Sequence, residues 1–138
     1  IKKGADTSNS DEYFTITVNK NYLSTLKVLI NDGLNPNVID NEKNTLLHLS
    51  CQKNLYEISS ELINSEKIDI NAINDDGLSA LMYIVKVKRK RKDIKFCQLL
   101  VENGADVNAR DGYGVIVRKM AKGRSTKKYL KKNGAFKK

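Results

Sequence analysis

The sequence predicts an all-α repeat solenoid of about four helix-turn-helix units with short β-hairpin-like turns. Three observations carry that expectation. One segment returns along the chain at intervals of 34 and 37 residues, each interval holds two apolar runs at helical spacing, and each begins at a turn rich in Asx residues or glycine. In such a solenoid each unit touches only its neighbours, so a motif too small to bury its own apolar face becomes stable by stacking.

The returning segment is an apolar pair, a short polar break and an Asn. It reads Leu29-Ile30-Asn31-Asp32-Gly33-Leu34-Asn35-Pro36-Asn37, then Leu62-Ile63-Asn64-Ser65-Glu66-Lys67-Ile68-Asp69-Ile70-Asn71, then Leu100-Val101-Glu102-Asn103-Gly104-Ala105-Asp106-Val107-Asn108. Copies of the break open the chain at Lys3-Gly4-Ala5-Asp6 and close it at Lys132-Asn133-Gly134-Ala135. A Gly after each second helix is expected to supply its left-handed cap. The turns are Asp40-Asn41-Glu42-Lys43, Asn74-Asp75-Asp76-Gly77 and Asp111-Gly112-Tyr113-Gly114, where Asx side chains suit tight reversals. Between turn and break, Leu46, Leu47 and Leu49, then Leu55, Ile58, Leu62 and Ile63, fall at the three- and four-residue spacing of one-sided helices.

A turn plus two helices at this period resembles the ankyrin repeat. The matching residues are Thr45-Leu46-Leu47-His48-Leu49, Ser79-Ala80-Leu81-Met82 and Gly104-Ala105-Asp106-Val107-Asn108-Ala109. The resemblance implies a single ankyrin-type domain over residues 1–138. Residues 1–11 are the end of a preceding or truncated repeat, 12–39 repeat 1, 40–73 repeat 2, 74–110 repeat 3, and 111–138 a degenerate basic cap repeat. The first helix of repeat 1 aligns to Glu12-Tyr13-Phe14-Thr15-Ile16. In the cap repeat Arg118 and Lys119 stand where the family has Leu and His. A polar outer unit is what a solenoid end requires.

Composition narrows the function classes. A chain of 138 residues with 40% hydrophobic content can bury a core, and no apolar run approaches the roughly 20 residues of a membrane span. The first residue is Ile1 and no signal-type apolar stretch follows, so the sequence is expected to be a piece of a longer one. Two distant cysteines, Cys51 and Cys97, fit a reduced cytoplasmic or nuclear protein rather than a disulfide scaffold. Charge is lopsided: residues 1–85 carry a balance of −5 and residues 86–138 a balance of +14. The Asn, Ile and Lys bias is that of an AT-rich genome, common among parasites, intracellular bacteria and large viruses. From such a source the expected partner is a host protein and the setting the host cell.

Catalysis finds little support. His48 is the only histidine and Cys51 follows three residues later on the same helix face, a spacing at which side chains meet. A nucleophile and base would also need an orienting group and an oxyanion site, which the sequence does not offer. The resemblance implies instead that His48 braces the turn by hydrogen bonds to Thr45 and that Cys51 fills a small buried position; Cys97 aligns with an inward position of a second helix. One His and two Cys in different repeats do not make a metal site, and no cofactor is expected. Gly112-Tyr113-Gly114 is half of a phosphate-loop pattern without its strand and reads as a hairpin turn.

The resemblance places a partner protein against the hairpin tips and the exposed face of each first helix. By alignment these are Asn41, Glu42, Asn44, Gln52, Lys53, Asp75, Asp76, Leu78, Lys86, Val87, Tyr113 and Val115. The chain is expected to be monomeric when unbound. A second candidate surface is basic. Its first part is the insertion at residues 86–92, with Lys88, Arg89, Lys90, Arg91 and Lys92, which suits a nuclear-import signal, a contact for phosphates or an acidic protein, or a solvated loop. Its second part, Val115 to Lys138, has no acid and includes Arg118, Lys119, Arg124, Lys127 and Lys128. Electrostatic binding of nucleic acid or an anionic surface is the alternative function, and a targeting module of a larger enzyme or pathogen effector is another.

Overall fold

The computed structural model describes residues 7–86 and 94–135. Eight helices form among them, in four successive pairs: α1 (Thr7–Asn19) with α2 (Leu23–Asn31), α3 (Leu46–Gln52) with α4 (Tyr56–Asn64), α5 (Ala80–Lys86) with α6 (Lys95–Glu102), and α7 (Val117–Met120) with α8 (Arg124–Lys132). The fold class is the expected all-α repeat one. Two compact units divide the chain, Ile1–Asp69 and Ile70–Lys138, with two helix pairs in each. The aligned run Glu12–Ile16 lies inside α1, which begins at Thr7; the opening break at residues 3–6 and the closing residues 136–138 lie outside the described residues.

Helices this short are marginal in isolation, so their stability comes from one packed face. In the first unit α1 packs on α2 and α3, and α4 on α2 and α3. The core is Phe14, Val18, Leu26, Ile30, Leu46, Ile58 and Leu62. Three pairs in that set are four residues apart, which puts both members on one helix face. Each such side chain contributes about 1.5–3 kcal/mol when fully buried. A polar seam ties α3 to α4: Ser50 donates to the Leu47 carbonyl at 3.1 Å, and the buried Ser50 and Ser59 hydroxyls lie 2.6 Å apart.

In the second unit α5 packs on α6 and α7, and α7 on α8. Ala80, Leu81, Met82, Ile84 and Val85 of α5 are all buried, the pattern of a helix enclosed on most sides. Phe96, Cys97 and Leu100 bury the inner face of α6. Both cysteines are buried thiols at core positions, outside any disulfide.

The Asn residues that mark the period have a structural role. Asn37 donates through its side chain to the Lys67 carbonyl, Asn71 to the Gly104 carbonyl at 3.0 Å, and Asn108 to the Gly134 carbonyl at 3.2 Å. Asn71 also accepts from the Asp106 N–H at 2.8 Å. Each amide thus reaches forward to the break of the next repeat, 26 to 33 residues on. The breaks themselves turn through positive φ at Gly33, Gly104 and Gly134. In the second repeat the expected Gly is absent: Glu66 takes that conformation with φ +60°.

The starts of the first helices differ along the chain: α3 has a side-chain cap and α7, with N-cap Ile116, has none. In α3, Thr45 Oγ1 accepts from the His48 N–H at 3.2 Å while His48 Nδ1 accepts from the Thr45 N–H at 3.0 Å, a reciprocal capping box. His48 therefore braces the turn, as the resemblance implied. In α5 the corresponding pair is Ser79 and Met82. The thioether sulfur, a weak acceptor, lies 3.3 Å from the Ser79 N–H, and the buried Ser79 hydroxyl finds no partner among the described residues. Replacing Ser79→Thr together with Met82→His is expected to rebuild the box and stabilise the second unit by about 1 kcal/mol, read as a higher urea midpoint at unchanged slope.

Candidate binding surface

Three hairpins precede α3, α5 and α7, and one side-chain oxygen closes each. Asp40 Oδ1 accepts from the N–H of Glu42 at 2.8 Å and of Asn44 at 2.9 Å. Asn74 Oδ1 does the same for Asp76 and Leu78, both at 3.0 Å. Asp111 Oδ1 does so for Tyr113 and Val115, both at 2.9 Å. The backbone closes the same loop, with the N–H of residues 40, 74 and 111 donating to the carbonyls of 44, 78 and 115. Lys43, Gly77 and Gly114 turn the chain through positive φ at equivalent places. At Gly77 a glycine is also required sterically, because a Cβ would stand 2.6 Å from the Gly112 backbone nitrogen; there the Gly112 N–H donates to the Asp76 carbonyl and joins adjacent hairpins.

This geometry sorts the aligned positions. In the first unit Asn41, Glu42, Gln52 and Lys53 are exposed. Asn44 is not: it is 4% exposed, and its amide donates back to Asp40 Oδ2 at 3.1 Å. In the second unit Asp75, Asp76, Lys86, Tyr113 and Val115 are exposed, Tyr113 to 93%. Leu78 is 9% exposed, so it too is corrected from an open tip to a largely buried position. Both corrections share a cause. The last residue of each hairpin folds under the Asx oxygen that accepts from its N–H, and Val115 alone keeps its side chain at the surface there. Val87 lies outside the described residues.

In the second unit, Asp76, Leu78, Lys86 and Tyr113 line one depression of about 280 Å³, together with Asp111. Asp111 was missed as a lining residue because its turn-forming role accounts for an Asx at that position. Leu78 is the buried member of that lining, and Asp76, Lys86 and Tyr113 are exposed. An apolar side chain beside two carboxyl groups, a lysine and a phenol suits an amphipathic side chain.

Of the basic residues, Lys119, Arg124, Lys127 and Lys128 are exposed. Arg118 is half-buried at the position held by Leu47 and Leu81 in the preceding first helices, and its Nε is buried with no hydrogen-bond partner among the described residues. Lys88, Arg89, Lys90, Arg91 and Lys92 lie outside the described residues. Tyr129 is half-buried; burial, then the charges of Glu102 and Cys97, push its hydroxyl pKa up. Its ring is therefore not an open stacking platform.

His48 and Cys51 are both 1% exposed, and the Thr45 N–H donates to His48 Nδ1, which puts the proton of a neutral imidazole on Nε2. Among the described residues no group of three or more His, Cys, Asp or Glu is arranged to hold a metal ion, and no helix is long and apolar enough to cross a membrane.

Paired short helices behind Asx-closed hairpins, repeated at this period, define a repeat protein. The chain belongs to the ankyrin repeat family: the family described as ankyrin repeats (three copies) matches residues 14–111. It is similar to the palmitoyltransferase akr1 of Schizosaccharomyces pombe, 38% identical over 66 residues, which are 48% of this chain and 10% of that protein. It is similar to the human B-cell lymphoma 3 protein, 32% identical over 91 residues, 64% of this chain and 19% of that protein. An ankyrin repeat protein of Acanthamoeba polyphaga mimivirus is 30% identical over 91 residues, 64% of this chain and 15% of that protein. The chain thus spans a fifth or less of the length of these relatives. Ankyrin repeats mediate protein–protein interaction and the family is typically non-catalytic.

Asp40 gives the hairpin a pH signature. Burial raises its carboxyl pKa, but the Asn44 N–H, the Asn44 amide, the Glu42 N–H and nearby His48 outweigh it and hold the group below the usual carboxylate value. A depressed folded-state pKa stabilises fully above the unfolded value of about 3.9 and loses that contribution as pH falls through the lower, folded one. Acid unfolding of the first hairpin should therefore carry a component below about pH 4. Asp40→Asn should remove it while keeping the hairpin, since Asn74 makes the same two bonds with an amide oxygen. Melting temperatures from pH 2 to 7 check this; an identical acid slope in the variant would contradict it.

Proposed function

We propose that this chain is a non-catalytic scaffold that binds a partner protein through its hairpin tips and the exposed positions of its first helices, anchored at Tyr113. The observation that carries this reading is an aromatic side chain 93% exposed on a hairpin closed by two side-chain and several backbone hydrogen bonds. Holding a large amphipathic ring rigidly in water has no benefit for folding, whereas a pre-ordered Tyr is the kind of residue that dominates interface energetics. The depression beside it and membership in an interaction family support the same conclusion. In the first unit the exposed positions assigned to binding are Asn41, Glu42, Gln52 and Lys53. The partner is a host protein in this reading, and the setting is the cytoplasm or nucleus of the host cell, which an ankyrin repeat protein of mimivirus among the relatives supports. That the matched stretch is a small part of much longer relatives supports a module within a larger protein.

Affinity capture with the intact chain, followed by titration of the captured protein, tests this. Tyr113→Ala should weaken binding at least about tenfold and Asp76→Lys several-fold. Unchanged capture by both variants would mean that the tips are not the interface.

Electrostatic binding of nucleic acid or an anionic surface is the second reading, supported by ten basic residues and no acid from Val115 to Lys138. It requires binding to duplex or single-stranded oligonucleotides at low salt that falls steeply as salt rises. Absence of binding at 20 mM salt, a concentration about an order of magnitude below physiological, eliminates it.

A further inference from the structure

Asp76 and Asp111 carry charges that their hairpins do not need in order to fold. The hairpin of Asp76 is closed by Asn74, which leaves the Asp76 carboxylate outside the bonds of the turn. The next hairpin uses only Oδ1 of Asp111, and Asn74 makes the same two bonds with an amide oxygen. Among the described residues neither carboxylate is in an ion pair, although Lys86 lines the same depression. Half of the six acids between residues 70 and 138 nevertheless stand in these two hairpins, as Asp75, Asp76 and Asp111, within a stretch that is otherwise strongly basic.

The backbones that carry the two carboxylates are fixed relative to each other. The Asp76 N–H donates to Asn74 Oδ1 at 3.0 Å, and the Asp76 carbonyl accepts from the Gly112 N–H, beside Asp111, at 3.2 Å. Between the hairpins lies the depression of about 280 Å³, lined also by the buried Leu78 and by Tyr113. That is just below the roughly 300–1,000 Å³ of small-molecule pockets, a size for one long side chain. A lining already held in place loses little freedom when it is filled.

We propose that this depression receives an arginine side chain of the partner protein. The guanidinium meets the carboxylates of Asp76 and Asp111, its plane lies on the Tyr113 ring, and its methylene stem covers Leu78. Arginine suits the lining better than lysine. Its five N–H donors form a planar fork that serves two carboxylates at once, and the same plane stacks on an aromatic face. A carboxylate ligand drawn to Lys86 would instead meet two like charges on the same lining. The inference rests on the protein-binding reading around Tyr113 and names the group that the tip recognises.

N-acetyl-L-arginine amide titrated into the full chain at constant ionic strength should give saturable shifts in the Asp76, Asp111 and Tyr113 amide resonances. The citrulline amide, which has the same shape without the charge, should bind at least about tenfold more weakly, and the lysine amide several-fold more weakly. Asp76→Asn should weaken the arginine amide about threefold to fivefold with the melting temperature unchanged, since that carboxylate makes no bond in the fold. Asp111→Asn keeps an oxygen for the hairpin and should have a similar effect. Lys86→Met removes a like charge and should tighten binding several-fold. The proposal is overturned if no saturable shift appears, if the citrulline amide binds as well, or if Asp76→Asn and Lys86→Met both leave affinity unchanged. Preference for N-acetyl-L-aspartate amide overturns it too, because Lys86 would then be the recognising group. If the arginine amide fails to bind while Tyr113→Ala still weakens capture of the partner protein, the arginine assignment falls alone. If Tyr113→Ala leaves capture unchanged, the tip reading falls and takes the assignment with it.

Discussion

One oxygen atom per repeat governs the rest of the structure: Oδ1 of Asp40, Asn74 or Asp111, which holds two backbone N–H groups two and four residues ahead. Those bonds set the reversal, and the reversal delivers the chain to the N-cap of the next first helix. They also decide which side chains project. The second and third residues of each hairpin are exposed, and the fifth is drawn under at Asn44 and Leu78 but not at Val115. Local side-chain bonds of this kind normally compete with secondary structure; here they act outside it and position it.

The parts of this fold that were legible in the sequence are those with local causes. The recurring Asn is visible because one amide at Asn37, Asn71 and Asn108 makes the same forward bond, and apolar spacing is visible because Phe14 and Val18, or Ile58 and Leu62, must share a face. The illegible parts depend on how a short loop closes. Asn44 is polar and sits at a turn, so nothing in its identity announces that it is 4% exposed. Leu78 looks like a tip by alignment and proves to be floor. Glu66 adopts the left-handed conformation although it is not glycine, a choice imposed by the break around it rather than by its own preference.

The fourth helix pair departs from its neighbours in charge. Arg118 occupies a position that is Leu in the two preceding first helices, and it keeps a buried Nε without a partner among the described residues. The same basic bias fills α8 with lysines and leaves its first turn without an acid, on the backbone plan of the preceding helix pairs.

The connection between the two helices of a repeat is three residues long from α3 to α4, residues 53–55, and eight from α5 to α6, residues 87–94. Closure entropy grows only logarithmically with length, so that difference costs about 1 kcal/mol. The bonds from Asn71 to Gly104 and from Lys122 to Val85, which hold the third repeat in place, involve no residue of the connection. The connection can therefore change in length or sequence with these bonds left intact. It is a site where new sequence can be tried at little thermodynamic risk, while the tips remain under a separate selection.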